Sequence, residues 1–315
     1  MLYCQAMEAD FVHWLRERLS PHPLLKLGIG DDAALLATAG RNDVVVTTDL
    51  IADGIDFDLK VHPPRRVGYK ALAINLSDLA AMAAQPLAAV IALNLPRQDA
   101  WHLATELYEG MLPLAEQIHL AIAGGDTNSW DGPLVVSVTA IGEVSVDGPL
   151  CRRGAQPGDR IIVTGCFGGS ILGRHLDVQP RVREALLLHQ HYALHAGIDC
   201  SDGLTLDLWR LCEESLCGAI VDVERIPIAT AAKELAVQRN DGVSAGEHAL
   251  SDGEDFELIL AVPPQSAEQM LADQPFDGVT LTDIGEFIAE QHLFQRDASS
   301  GLRPLKPRGY QHQLS

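Results

Sequence analysis

Apolar positions recur in two rhythms along this chain. Phe11, Trp14, Leu15 and Leu19 follow the three-and-four spacing of a short amphipathic helix. Runs rich in β-branched and aliphatic residues then alternate with helical stretches. They are "DVVVTTD" from Asp43, a helix over about 65–84, "AAVIALNL" from Ala88, a helix over about 100–117, "HLAIAGG" from His119 and "LVVSVTAIGEV" from Leu134. Gly, Pro and charges gather in "SVDGPLCRRGAQPGD", Ser145 to Asp159, and divide the chain into one domain over 1–146 and another over 147–315. The second half resumes with the strand "RIIVTG", then "AGIDCSDGL", a helix over about 204–215, "AIVDV", "DFELILAV" and "VTLTDIGEF". Both halves mix strands and helices, so the expected architecture is α/β (mixed α+β) in two domains.

The most apolar stretch, "LAAMAAQPLAAVIALNL" from Leu79, is broken by Gln85-Pro86 into halves too short to cross a bilayer. It predicts a buried helix followed by a buried strand, and no membrane segment. The strands at "DVVVTTD", "AAVIALNL" and "LVVSVTAIGEV" carry apolar residues on both faces, more than one small half-domain readily covers. That surplus predicts a homodimer through the N-terminal half.

Charge narrows the possible partners. The 315 residues hold 23 Lys+Arg against 43 Asp+Glu, a net −20, and the isoelectric point is near 4.8. Nucleic acid and anionic membranes would be repelled, whereas cations would be gathered. Six scattered cysteines without a C-x-x-C pair exclude a zinc ribbon and argue for free thiols in a reducing compartment. The N-terminal stretch lacks the basic head and apolar run of a signal peptide, so the expected location is cytoplasmic.

The candidate chemistry lies in aspartates set against apolar residues: Asp31-Asp32, Asp49, Asp78, Asp126, Asp199 and Asp202. Any one alone reads as a turn residue or helix cap. Asp78 does not, because "ALAINLSDLAAM" is apolar on nearly every face, and Asn75 and Asp78 share one side of it. Several such carboxylates converging would form an oxygen cage for a hard cation such as Mg²⁺. "IAGGDTNSWDG" puts Gly125 and Asp126 directly after a strand, in a turn whose N–H groups could meet phosphate. In "GIDCSDGL", Ser201 or Asp202 could instead cap the following helix. Arg152-Arg153, and Arg65-Arg66 with Lys70, are the basic clusters that could meet phosphates, a solvated rim being the alternative for Arg65 and Arg66. His191 and His195, four apart, read as an exposed helix face, and no Walker A or nucleophile-elbow motif occurs.

"GIGDDAALL", "TTDL", "YKALAINLSDLAAM", "GGDT", "RRGAQPGD", "GIDCSDGL" and "SDGEDFEL" occur together and in order. This set resembles the thiamine-monophosphate kinase family, in the superfamily with aminoimidazole ribonucleotide synthetase, selenophosphate synthetase and HypE. The resemblance runs from about Gly28 to Tyr310. It implies ATP-dependent phosphorylation of thiamine monophosphate to thiamine diphosphate. It also implies two α/β domains, with the N-terminal halves of two subunits pairing into a β-barrel. By position it implies Asp32, Thr47, Thr48, Asp49, Asp78, Asp126, Asp199 and Asp202 as metal-site residues. Gly125, Asp126, Arg152 and Ser201 would contact ATP, and Asp56, Glu254 and Tyr310 would lie at the acceptor. The implied cofactors are several Mg²⁺ ions with ATP as co-substrate, and a monovalent cation is compatible with them.

Bound cations would reverse the sign of an acidic site that must hold two polyanions. No dedicated general base is expected, because a phosphomonoester with a second pKa of about 6 is largely ionised at neutral pH. Four positions leave the family pattern: Asp56 where a His is usual, Asp252 and Phe256 in "DGEDFEL", and Gln313 in place of a C-terminal aromatic. An ionised Asp56 about 4 Å from a phosphate oxygen would cost roughly 4 kcal/mol at an effective dielectric near 20. Asp56 is therefore expected to act through a cation or to turn toward Arg65 or Arg66, unless the acceptor is a different phosphorylated or acyl compound. A non-catalytic nucleotide- or cation-binding module is the remaining alternative.

Overall fold

The structure is a computed structural model describing residues 8–17, 22–38, 42–297 and 301–313. In the first half, α1 (Glu8–Arg16) is followed by β1 (Leu25–Leu27), β2 (Ala34–Leu36), β3 (Val44–Ala52), α2 (Pro64–Ala81), β4 (Ala84–Pro96), α3 (Ala100–Gln117), β5 (Ala121–Trp130) and β6 (Val135–Val144). The strands form one open six-stranded sheet in the order β1-β2-β3-β6-β4-β5. Leu19, assigned to the first helix from its spacing, lies outside the described residues.

Alternation along β3 and its neighbours decides what faces inward. Val45, Thr47 and Ile51 are buried toward α2, as are Val136, Val138 and Ala140 of β6 and Ile91, Leu93 and Leu95 of β4. Pro64 opens α2 at its first turn, where a missing N–H costs nothing. The helix is buried on nearly every face because β3, β4 and β6 lie on one side and α3 packs against it on another. That last contact needs glycine on both helices. A Cβ at Gly68 would sit 2.0 Å from the Leu107 carbonyl, and one at Gly110 would sit 1.8 Å from that of Arg65.

The second half runs β7 (Arg160–Thr164), α4 (Val182–His191), β8 (Ala196–Asp199), α5 (Leu204–Ser215), β9 (Gly218–Asp222), α6 (Thr230–Arg239), α7 (Ala245–Ser251), β10 (Leu258–Val262), α8 (Pro264–Asp273), β11 (Leu281–Ile288), β12 (Leu293–Asp297) and β13 (Gly301–Pro304). Its sheet has the order β13-β12-β9-β11-β7-β10-β8 and is antiparallel except between β9 and β12. The α2 core continues into this half through Leu176, Val178, Leu188, Leu258 and Leu260, and α2 also packs against α4 and β8. One helix therefore carries side chains toward both sheets.

Three expectations need correction. The helix expected to reach residue 84 stops at Ala81, and Ala83, at φ 48°, turns the chain straight into β4. Pro86 does not break β4, because the register with β6 shifts between Pro86 and Ala88 and absorbs the missing donor. The strand expected to begin at Asp255 starts at Leu258, since Glu254 (φ 63°) and Phe256 (φ 51°) are held in the left-handed region.

Candidate active site

Three chain segments bring carboxylates to one point. Asp32 follows the short strand pairing at Ile29 and Asp31, Asp78 sits on the buried α2, and Asp199 ends β8. One carboxylate oxygen from each lies within 4.8 Å of the others. Thr47, on the inward face of β3, donates from Oγ1 to Asp78 Oδ2 at 2.5 Å, and Ser77 donates from Oγ to Asp199 Oδ2 at 2.6 Å. Asn75, one turn below Asp78, accepts the Asp49 backbone N–H at 3.1 Å and so fixes β3 against α2.

Arg152 supplies the opposite charge. Its guanidinium forks onto Asp32, with Nη2 at 2.8 Å from Oδ1 and Nε at 3.2 Å from Oδ2. Its backbone N–H is held by both oxygens of Asp31, at 3.1 and 3.2 Å. Burial alone would lower the Arg152 pKa, but Asp32 beside it pushes it up, so the guanidinium stays charged. One cation cannot balance the cluster. Burial, then Asp49 and Asp199, push Asp78 well above the ordinary carboxylate range; burial and Asp32 do the same to Asp199. Asp49 is pushed up to about 6 by burial and by Asp202, and Asp31 to about 7 by burial and by Asp32. Buried oxygen ligands with too little positive charge among them fit a hard divalent cation, which would replace the protons these groups otherwise take up.

Asp78 and Asp49 also line a cavity of about 470 Å³, together with Ser201, Asp202, Asp56, Glu254 and Tyr310. The loop at Ser201 is shaped by Asp207, whose Oδ2 accepts the N–H groups of Asp202 and Gly203, both at 2.9 Å. Gly203 is the residue before α5, so neither Ser201 nor Asp202 serves as its cap. Arg210 reaches back from the next turn to Asp202 Oδ2 at 2.5 Å and to Asp207 at 2.8 Å. The Tyr310 N–H donates to the Asp202 carbonyl at 2.9 Å, which brings the C-terminal segment to the cavity mouth.

"SDGEDFEL" is a row of acids whose partners come from different elements. Asp252 accepts the Gly169 N–H, Asp255 pairs with Arg174, and Glu257 takes a forked bond from Arg181 at 2.6 and 2.7 Å. Glu254 alone of these pairs with a lysine, Lys70 of α2, and it faces the cavity. Asp56 does not turn to Arg65 or Arg66, which pair with Glu106 and Asp177. Its Oδ2 instead accepts the Ala52 N–H at 2.7 Å within its own turn.

Several expected residues are not brought to this point. Gly125 and Asp126 lie within β5, not in a turn, because their backbone continues the parallel ladder with Ile91 and Ala92 of β4. Asp126 shares a cross-sheet row with Ala92, Ser137 and Leu50 on the outward face. Thr48 points the same way, where its Oγ1 donates to the Val138 carbonyl at 3.1 Å and accepts from Thr139 at 3.0 Å. His195 lies beyond the end of α4 and bonds Asp159 at 2.8 Å, so it shares no helix face with His191. Sequence reasoning passed over Asp207 and Arg210, and over Arg239, which lines the cavity. An acid in a helix's first turn reads as ordinary helix chemistry, and only the fold shows Asp207 gripping the loop before it.

Comparison with known proteins agrees with this geometry. The N-terminal domain model of AIR synthase related proteins matches residues 30–144, and the C-terminal domain model matches 156–297. A thiamine-monophosphate kinase of Rhodopirellula baltica is 42% identical over 97% of this chain and 97% of its own. Among solved structures, AaThiL complexed with AMPPCP and TMP aligns with a TM-score of 0.82 at 25% identity, covering 97% of each chain. The thiamine-monophosphate kinase of Stenotrophomonas maltophilia K279a aligns at 0.72 with 33% identity, covering 91% of this chain and 94% of that one. The chain belongs to the thiamine-monophosphate kinase family of AIR synthase related proteins.

Proposed function

We propose that this protein transfers the γ-phosphoryl group of ATP to thiamine monophosphate, forming thiamine diphosphate and ADP. The observation that carries this reading is the position of Asp78, which belongs both to the carboxylate cluster and to the cavity wall shared with Glu254 and Tyr310. Asp32, Asp78 and Asp199, with Asp49 and Asp202 beside them, would hold Mg²⁺. Mg²⁺ held by them would supply positive charge to offset that on the phosphates of both substrates.

The chain's own groups position and orient. Arg152 commits its Nε and Nη2 to Asp32, its Nη1 would be the donor toward phosphate oxygens, and Asp31 anchors its backbone. Ser201 offers a hydroxyl on the cavity wall. Glu254 provides negative charge for the cationic thiazolium, and the half-exposed Tyr310 an aromatic face at the mouth. No residue needs to remove a proton, because the acceptor phosphate, with a second pKa of about 6, is largely ionised at neutral pH. Asp56 does not argue for another acceptor, since its carboxylate is bonded inside its own turn.

The division into residues 1–146 and 147–315 assigns dimerisation and most cation ligands to the first part, and the remaining site residues to the second. The outward face of the first sheet exposes Leu50 (63%), Leu87 (42%), Val90 (39%) and Trp130 (40%). A second copy pairing there would cover them and complete a β-barrel. The same face carries Thr48 and Asp126, so the roles of these residues and Gly125 toward metal and ATP belong to the paired assembly. The cysteines among the described residues, Cys151, Cys166, Cys200, Cys212 and Cys217, are free thiols that suit a cytoplasmic setting, and no helix among those residues is long and apolar enough to cross a membrane. The test is formation of thiamine diphosphate from thiamine monophosphate, ATP and Mg²⁺. ATP consumption indifferent to thiamine monophosphate, or no product with any metal, would overturn the assignment.

A further inference from the structure

Among the described residues, one of the largest fully buried side chains is a lysine. Lys70 lies at the cavity end of α2 with only 1% of its side chain exposed. An ammonium in that position is costly unless it is fully bonded. Its partners come from both halves of the chain: the Asp56 carbonyl oxygen at 3.0 Å and the Glu254 carboxylate. We propose that Lys70 is a positioning residue for the acceptor side of the cavity, tying the 52–57 turn and the 252–256 segment into one arrangement. This deepens the kinase reading above and rests on it.

The two segments need such a tie. Glu254 and Phe256 hold left-handed backbone that a non-glycine residue keeps only when its surroundings enforce it. Their N–H groups bond the Ser201 and Cys200 carbonyls at 2.6 and 2.7 Å, so the strained stretch lies directly on the loop that carries Ser201 and Asp202. On the other side, the turn at 52–57 is closed by local bonds, from Ile55 and Asp56 N–H to the Ala52 carbonyl and from Ala52 N–H to Asp56. Lys70 joins it to residues about two hundred positions away.

The tie also governs charge. Burial raises the Glu254 pKa and Lys70 pulls it back, so the lysine favours the carboxylate form that a cationic acceptor requires. The neighbouring Asp255 and Glu257 have arginines of their own, so removing Lys70 releases Glu254 and leaves them in place. The bond to Lys70 engages Oε1, and a carboxylate accepts several donors, so Glu254 can serve Lys70 and a ligand together.

Three variants test this: Lys70→Met, Glu254→Ala and the double change, each checked for an intact thermal unfolding transition. In ligand-free protein, amide hydrogen exchange at Ile55, Asp56, Glu254 and Phe256 should accelerate together by about tenfold in Lys70→Met. Glu254→Ala removes the acceptor of the same contact without touching the α2 core, and it should also accelerate Ile55 and Asp56. In turnover, Lys70→Met should raise the thiamine monophosphate KM by about tenfold or more and leave the ATP KM within about twofold. The double variant should then be no worse than Glu254→Ala alone. Exchange changing in one segment only, equal rises in both KM values, or additive losses in the double variant would each overturn the proposal. Should Lys70→Met not fold, unchanged exchange at Ile55 and Asp56 in Glu254→Ala would overturn it. A wild type that makes no thiamine diphosphate would refute the kinase reading, and the exchange data would still decide the role of Lys70.

Discussion

Asp32, Asp78 and Asp199 share one guanidinium, whereas Asp255 and Glu257 each have an arginine of their own. Asp32, Asp199, Asp255 and Glu257 are buried, and Asp78 is half-buried. Around Asp255, Ser170 Oγ and the Gly168 N–H add further bonds at 2.5 and 2.9 Å; around Glu257, Thr164 Oγ1 adds one at 2.6 Å. Burial still lifts Asp255 to about 6, but every close neighbour works to keep it charged. In the other set the neighbours work the opposite way, since Asp49, Asp199 and Asp32 all oppose ionisation of Asp78. A carboxylate that a fold needs for its own integrity comes with its counter-charge. One that awaits a cation does not, and that contrast separates structural from functional acids here more sharply than burial does.

The strongest way to break this contrast is to neutralise one member of each set. Asp78→Asn should reduce turnover by about 10²–10³-fold, while the metal-free protein unfolds at the same temperature or higher, because a crowded buried charge has been removed. Asp255→Asn should do the reverse. It strands Arg174 with its charge uncompensated, at a cost of about 3–5 kcal/mol, and so lowers the unfolding temperature before it touches the chemistry. Thermal unfolding and initial rates on the two variants provide the check. Unchanged turnover in Asp78→Asn at limiting Mg²⁺ would dissolve the distinction.

A smaller effect should appear in the pH dependence of stability. Asp31 and Asp49 titrate in the folded protein near 7 and 6, above the ordinary carboxylate value of 3.8. A raised folded pKa means that the native state binds more protons than the unfolded chain between those values. The stability these groups contribute is present at the acid side and is lost as pH rises. Metal-free protein should therefore lose at least about 4 °C of unfolding temperature between pH 5 and pH 7.5. Mg²⁺ should restore it, and most strongly at the upper end, because only ionised ligands hold the ion. Metal-free stability that climbs with pH over this window would contradict the unpaired character of the cluster.

How far this site could be read in advance depended on whether each residue's neighbours were local. Asp78 was legible because a carboxylate in the middle of "ALAINLSDLAAM" has no partner within its own helix. That it meets Asp32 and Asp199, and not Asp126, was not legible, since only the folded chain brings these segments together. Lys70 grouped naturally with Arg65 and Arg66, yet those two pair on the surface with Glu106 and Asp177 while Lys70 alone points inward. Gly124-Gly125 suggested a turn, but the ladder to β4 carries the strand through to Trp130. Backbone pairing overrode a weak local preference there. Strands β3 and β6 and helices α3 and α5 followed from period, whereas β1, β12 and β13 are too short to show one.

The smallest expected effect belongs to Asp56, where the sequence departs from its family. An aspartate facing the acceptor phosphate would repel it, so the position looked unfavourable for binding. Its Oδ2 instead accepts the Ala52 N–H at 2.7 Å, and the residue offers Lys70 its backbone carbonyl, not its carboxylate. By the distinction drawn above it is a structural acid, satisfied by a backbone donor in place of an arginine. Asp56→Ala should then cost about 1 kcal/mol of stability through one lost hydrogen bond and less than about tenfold in acceptor KM. Because Lys70 binds the carbonyl, which alanine keeps, the link to Glu254 should survive. Asp56→Asn, whose amide oxygen can still accept from Ala52, should recover most of the difference. A loss in Asp56→Ala larger than about tenfold that rising Mg²⁺ repairs would move Asp56 into the cation-binding set.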